Sequence, residues 1–159
     1  MSGKGYVELH ARSAFSFLRG AAQPEALAEA AAAAGMPGMA LCDRDGLYGA
    51  PRFYAAAREH GIKAMVGAEL TLEDGAVLPV LVKDRQGYRN LSRLITQAKL
   101  RGAKAWAPVA WEDIAMFAEG LVCLTGDEEG GVQRALVRGE DEKAFDFTRK
   151  LVDRKSTRL

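Results

Sequence analysis

The chain has few of the residues that staple small proteins or cradle common cofactors. Its 159 residues include two cysteines, Cys42 and Cys123, far apart and in no CxxC pair. That count excludes a disulfide framework and a thiolate zinc knuckle. Each cysteine sits in an apolar run (MALC and LVCLT), so buried free thiols in a reducing cytoplasm are expected. No GxGxxG and no GxxxxGK[ST] follows an apolar run, which sets aside dinucleotide and P-loop chemistry. No apolar run approaches the ~20 residues of a membrane span, and MSGKGYVELH lacks the apolar segment of a secretory leader. A cytoplasmic location without a membrane partner is expected. One sign of charge does not dominate either: the formal net charge is +1, so no global basic field argues for nucleic acid. No fixed-period repeat is present.

What remains is the composition of an ordinary globular domain, 48% hydrophobic and 27% charged, in a length suited to one domain. Tyr6–Leu9 reads as a short strand, followed by a polar and aromatic loop from His10 to Ala22. Pro24 opens a helix that Gly35 caps and Pro37 prevents from continuing. Met39–Cys42 reads as a buried strand, Pro51 opens a second helix capped by Gly61, and Ile62–Val66 reads as a third strand. Asp74-Gly75 between apolar runs signals a hairpin. The spacing of Leu91, Leu94, Ile95 and Ala98 predicts a helix over Asn90–Leu100. Trp111–Ala118 reads as a short helix, Leu121–Thr125 as a buried strand, and the charged remainder as one or two helices. Strands alternating with helices predict βαβ units and a parallel sheet, in a barrel or an open doubly wound form.

Chemistry in α/β folds sits at the C-terminal ends of parallel strands. Metal-competent side chains fall there three times: His10 after the first strand, Asp43 and Asp45 after the second, Glu69 after the third. Imidazole with carboxylates suits Zn, Mn or Fe, and a carboxylate-rich rim suits phosphoester hydrolysis through metal-bound water. The competing reading is structural: a hydrogen-bonded His, an Asx turn at Asp43–Gly46 and a solvated Glu. Two arginines also stand in the same loops, Arg12 two residues after His10 and Arg44 between the aspartates. A guanidinium has no lone pair for a metal and pairs with carboxylates, which would neutralise the pocket. Both could instead face solvent.

Four segments carry a family resemblance. ELHARSAFSFLRGAAQPEALAEAA resembles the first motif of PHP (polymerase-and-histidinol-phosphatase) domains, usually HxH. MALCDRDGLYGAPRFYAAAREHGIKAMVGAEL resembles their T-D-H-D loop and G-I-K-P-I-x-G-x-E motif. LPVLVKDRQGYRNLSRLITQA and GLVCLTGDEEGGVQRAL resemble later elements of bacterial DNA polymerase III alpha subunits. The H-x-R-S pattern and the F-S-F-L-R-G-A run resemble the error-prone branch best.

The resemblance implies an α/β, distorted (β/α)7 TIM-like barrel, incomplete at the C-terminus, with a partial PHP domain over residues 6–153 and a basic tail over 154–159. Exposed sheet edges are expected to follow. By the resemblance, His10, Asp43 and Glu69 match metal ligands, whereas Arg12 and Arg44 occupy two ligand His positions; Asp45 supports the loop. The implied function is the N-terminal PHP module of an error-prone DNA-directed DNA polymerase active in replication and translesion repair. The fragment would have no catalytic residue and a degenerate metal site. The implied partners are DNA, a sliding clamp and accessory mutagenesis proteins. Mg would serve the absent polymerase domain, and Zn or Mn any surviving PHP site. The alternative is a metal-dependent phosphoesterase or 3′–5′ exonuclease on a reduced site of His10, Asp43 and Glu69.

Overall fold

The computed structural model describes residues 5–103 and 106–156. The chain is mixed α/β and forms two compact units, residues 1–69 and 70–159. In the first, β1 (Glu8–Ala11), β2 (Gly38–Arg44) and β3 (Lys63–Thr71, ending in the second unit) alternate with α1 (Pro24–Ala33) and α2 (Ala50–Glu59). The three strands are parallel, in the order β1-β2-β3.

Both helices stop in the same way. Gly35 and Gly61 take a left-handed φ of 70°. Each lets the next amide reach back five residues, Met36 to Ala31 at 2.9 Å and Ile62 to Ala57 at 3.0 Å. This Schellman closure turns the chain into the following strand. α1 packs against α2 through alanines, and Ala28, Ala31, Ala56 and Ala57 surround buried Phe53, Met39 and Leu41. Small residues permit the close approach, and Phe53 supplies most of the bulk, worth about 1.5–3 kcal/mol when fully buried.

The second unit holds β4 (Val77–Val82), α3 (Arg85–Arg101), α4 (Trp111–Met116), β5 (Leu121–Cys123), α5 (Gly131–Val137) and α6 (Asp141–Ser156). At the Asp74-Gly75 turn, Leu72 donates to the Ala76 carbonyl at 2.8 Å and Gly75 takes φ 74°. Asp84 caps α3 by accepting from the Gly87 amide at 2.9 Å.

Several boundaries differ from those read in the sequence. β1 lies two residues later than expected, so His10 is inside it. β2 continues through Asp43 and Arg44, and β3 through Glu69, because polar side chains with buried partners can end a strand as well as apolar ones. β5 is shorter than expected, half-buried, and antiparallel to β4 (Val80↔Cys123, Leu81↔Val122, Val82↔Leu121), so the strands are not all parallel. Cys42 is buried, but Cys123 is only half-buried. α6 takes the first half of the expected basic tail into a helix to Ser156; residues 157–159 lie outside the described residues.

Candidate metal centre

Register explains the geometry of the rim. Arg44 is the direct β-partner of Glu69, and Asp43 that of Ala68. Adjacent residues on a strand point to opposite faces, so Asp43 and Arg44 serve different neighbours. Arg44 Nε donates to Glu69 Oε2 at 2.7 Å. His10 and Arg12, two residues apart on and just after β1, both reach Glu69 Oε1. His10 Nε2 lies 2.5 Å from it and Arg12 Nε donates at 2.5 Å. Glu69 is fully buried, with the side chains of its three partners about one-fifth exposed. Burial pushes the Glu69 carboxyl up, but the bonds from His10 and Arg44 and the charges of Arg44 and Arg12 outweigh it and hold the acid below its ordinary range.

Asp43, also buried, has a different set of partners. Its Oδ1 accepts from the Ser13 amide at 2.8 Å, Ser13 Oγ at 2.9 Å and Ser16 Oγ at 2.8 Å; Ser13 Oγ also lies 2.9 Å from Oδ2. Ser16 Oγ accepts in turn from the Arg44 amide at 3.1 Å. Asp43 thus ties the loop after β1 to the end of β2. Gly49 lies so close that a Cβ there would sit 2.6 Å from Asp43 Oδ2 and 3.0 Å from Ser13 Oγ. This accounts for a glycine in the LYGAP turn.

Asp45 follows β2 in a left-handed conformation, φ 49°, and its amide donates to the Glu69 carbonyl at 2.8 Å. It extends the β2–β3 pairing through its backbone. Cys42 is buried behind the rim; burial, then the negative charges of Glu69 and Asp43, push its thiol up.

Of the sequence-derived candidates, His10, Arg12, Arg44 and Glu69 converge in one cluster, while Asp43 belongs to a neighbouring serine-bonded one. Ser13 and Ser16 were missed. Two serines three apart beside a metal-competent motif are an available signal, but serines in a polar loop are too common to stand out.

A sequence profile of the PHP domain matches residues 8–155. The chain belongs to the PHP domain family. Among its relatives, an error-prone DNA polymerase of Mycobacterium bovis is 42% identical over 165 aligned positions, covering 96% of this chain and 15% of that protein. The DNA polymerase III subunit alpha of Vibrio cholerae is 38% identical over 152 positions, covering 90% of this chain and 13% of the relative. The chain thus spans about one-seventh of the length of these polymerases. A solved amidohydrolase of Chromobacterium violaceum, crystallised with sulfate and no metal, superposes with a TM-score of 0.51 at 24% identity, over 92% of this chain and 49% of its own. It shares the fold of this PHP domain. Among the described residues no helix is long and apolar enough to cross a membrane.

Proposed function

We propose that this chain is the N-terminal PHP module of an error-prone DNA-directed DNA polymerase, and that its rim is a guanidinium–carboxylate cluster in place of a metal centre. The identity to named polymerases over nearly the whole chain supports the first part. One observation carries the second: both oxygens of Glu69 already face an arginine. Two permanent cations thus already share the Glu69 carboxylate. Each further unit charge at about 4 Å from one of these arginines would cost roughly 4 kcal/mol at an effective dielectric of 20. Asp43 cannot compensate in place, because its oxygens are taken by serines. The donor set therefore fits a divalent ion poorly, and the rim performs no hydrolysis; its work is to lock β1, β2 and β3 together.

In this reading the intact protein works in the cytoplasm on DNA during replication and damage-tolerant synthesis, with Mg at a polymerase domain outside these 159 residues. A sliding clamp and accessory mutagenesis proteins are its partners. The competing reading, a reduced phosphoesterase or 3′–5′ exonuclease site, draws on the 2.5 Å approach of His10 Nε2 to Glu69 Oε1, two ligand types within reach of one ion. Metal analysis of the purified chain separates the two: far less than one equivalent of any transition metal is expected, and near-stoichiometric Zn or Mn would overturn the proposal. Primer extension across a damaged template by the intact polymerase tests the assignment to error-prone synthesis, which a lack of lesion bypass would sink.

A further inference from the structure

The second unit contains a cavity that the rim does not explain. It has a volume of about 410 Å³ and opens among α4, α5, α6 and the Asp74-Gly75 turn. Four cations line it: Arg134 and Arg138, and Lys143 and Lys150. Its three carboxylates already have partners. Asp74 Oδ1 accepts the Ala76 amide at 2.9 Å, Glu140 pairs with Lys143 at 2.8 Å, and Asp146 pairs at 3.3 Å with Arg149, outside the lining.

Asp74 keeps its charge, so the cations of the lining outnumber its carboxylates by one. Half-buried Arg134 has no ion-pair partner among the described residues, and exposed Arg138 acts through its charge on Glu140. Arg134 Nη1 lies 3.8 Å from where a Cβ on Gly75 would sit, so its head group lies beside the glycine turn. Lys150 Nζ stands 5.5 Å above the Trp111 ring, which packs edge-on against buried Phe147 at 5.1 Å. Arg134 and Arg138, four residues apart, share one face of α5 and its C-terminal cap. The cations around this concavity outnumber the carboxylates, and the forked guanidinium matches phosphate oxygens two at a time.

We propose that this cavity binds a phosphate group, held by Arg134, Arg138 and Lys150, with Trp111 beside it. Its size suits a small ligand, and the phosphate can belong to a free nucleotide or to a single nucleic-acid strand. This assignment does not depend on the polymerase reading.

Trp111 provides the readout. In a Trp106→Phe background of the 159-residue chain, it is the only tryptophan. Inorganic phosphate titrated at constant ionic strength should change its emission saturably, with a millimolar Kd, and shift the amide resonances of Gly131–Arg138. Arg134→Gln should weaken binding about tenfold, which is ~1.4 kcal/mol. Arg138→Gln, at an exposed helix end, should weaken it severalfold, and Arg93→Gln on α3 should leave it unchanged. Competition then identifies the source. Displacement by dTMP but not by a single-stranded oligonucleotide indicates a free nucleotide, and tighter, salt-sensitive displacement by the oligonucleotide indicates a strand. Absence of a saturable change in both readouts overturns the proposal, as does equal weakening by Arg93→Gln and the two cavity variants.

Discussion

Asp43 and Glu69 lie on adjacent parallel strands, one step apart in register, and both are buried. Their surroundings are opposite in kind. Asp43 is bonded by two hydroxyls and an amide, whereas Glu69 faces two permanent cations and an imidazole. A buried carboxylate needs compensation, and this rim supplies it twice by different means. Hydroxyls satisfy Asp43 at the expense of its freedom to ligate. Guanidiniums satisfy Glu69 by supplying positive charge.

The strongest way to break the contrast is to replace both cations with metal-competent imidazoles. Arg12→His with Arg44→His removes both cations and places two further imidazoles beside His10 and Glu69. This variant is expected to take up Zn or Mn near one equivalent, with binding free energy on the order of 10 kcal/mol if the site closes as structural zinc sites do. Metal content after gel filtration and a metal-dependent rise in Tm would check it. An unchanged, metal-free double variant would show that the serine-bound Asp43 alone prevents ligation.

Next in size is the loss of the Glu69 charge. Glu69→Gln leaves two guanidiniums around a neutral amide and should cost about 3–5 kcal/mol, the usual penalty for breaking a buried pair from one side. The triple replacement Arg12→Leu, Arg44→Leu, Glu69→Leu should cost less than that single change, because it removes these three charges together. Urea unfolding midpoints of the three proteins give the ordering. If the triple variant is the least stable, the cluster contributes net stability beyond the pairing of its own charges.

On the Asp43 side, Ser16→Ala deletes one donor to Oδ1 and the acceptor of the Arg44 amide. A loss of about 1–3 kcal/mol is expected for these unsatisfied buried groups. Because the hydroxyl carries no charge, the penalty should be insensitive to salt. A strongly salt-dependent penalty in urea unfolding would count against a purely hydrogen-bonded Asp43.

How far this was legible in the sequence follows from the same contrast. The helices announced themselves through Pro24, Pro51, Gly35 and Gly61, whose backbone preferences are local. The meeting of Arg12 and Arg44 with a rim carboxylate was also readable, since charge and strand order both pointed to it. Which carboxylate they met was not. The choice depends on register, Arg44 beside Glu69 and Asp43 beside Ala68, and a shift of one residue would exchange the faces. The strand ends were misplaced for a related reason: Asp43, Arg44 and Glu69 look like loop residues until their partners on neighbouring strands are known. The antiparallel β4–β5 pair had no signal in the apolar run Leu121–Thr125, which fits either direction.

The smallest effect is a pH dependence that should follow the Glu69 carboxyl. The folded protein holds the Glu69 carboxyl below its ordinary value of 4.5. The sign follows from linkage: a depressed acid contributes stability that is fully present above the unfolded value and fades as pH falls through the folded one. Above its ordinary value of 4.5 the Glu69 carboxylate should therefore contribute a constant amount to the stability difference between wild type and Glu69→Gln. Below 4.5 it should shrink as the wild-type carboxyl takes up its proton and resembles the neutral amide. Other depressed acids, Glu8 among them, act in both proteins and cancel in the difference. Urea midpoints measured from pH 7 to 3 resolve the two curves. If their separation persists undiminished to the lowest pH, protonation does not release the arginines, and the cluster is held by packing of their stems rather than by charge.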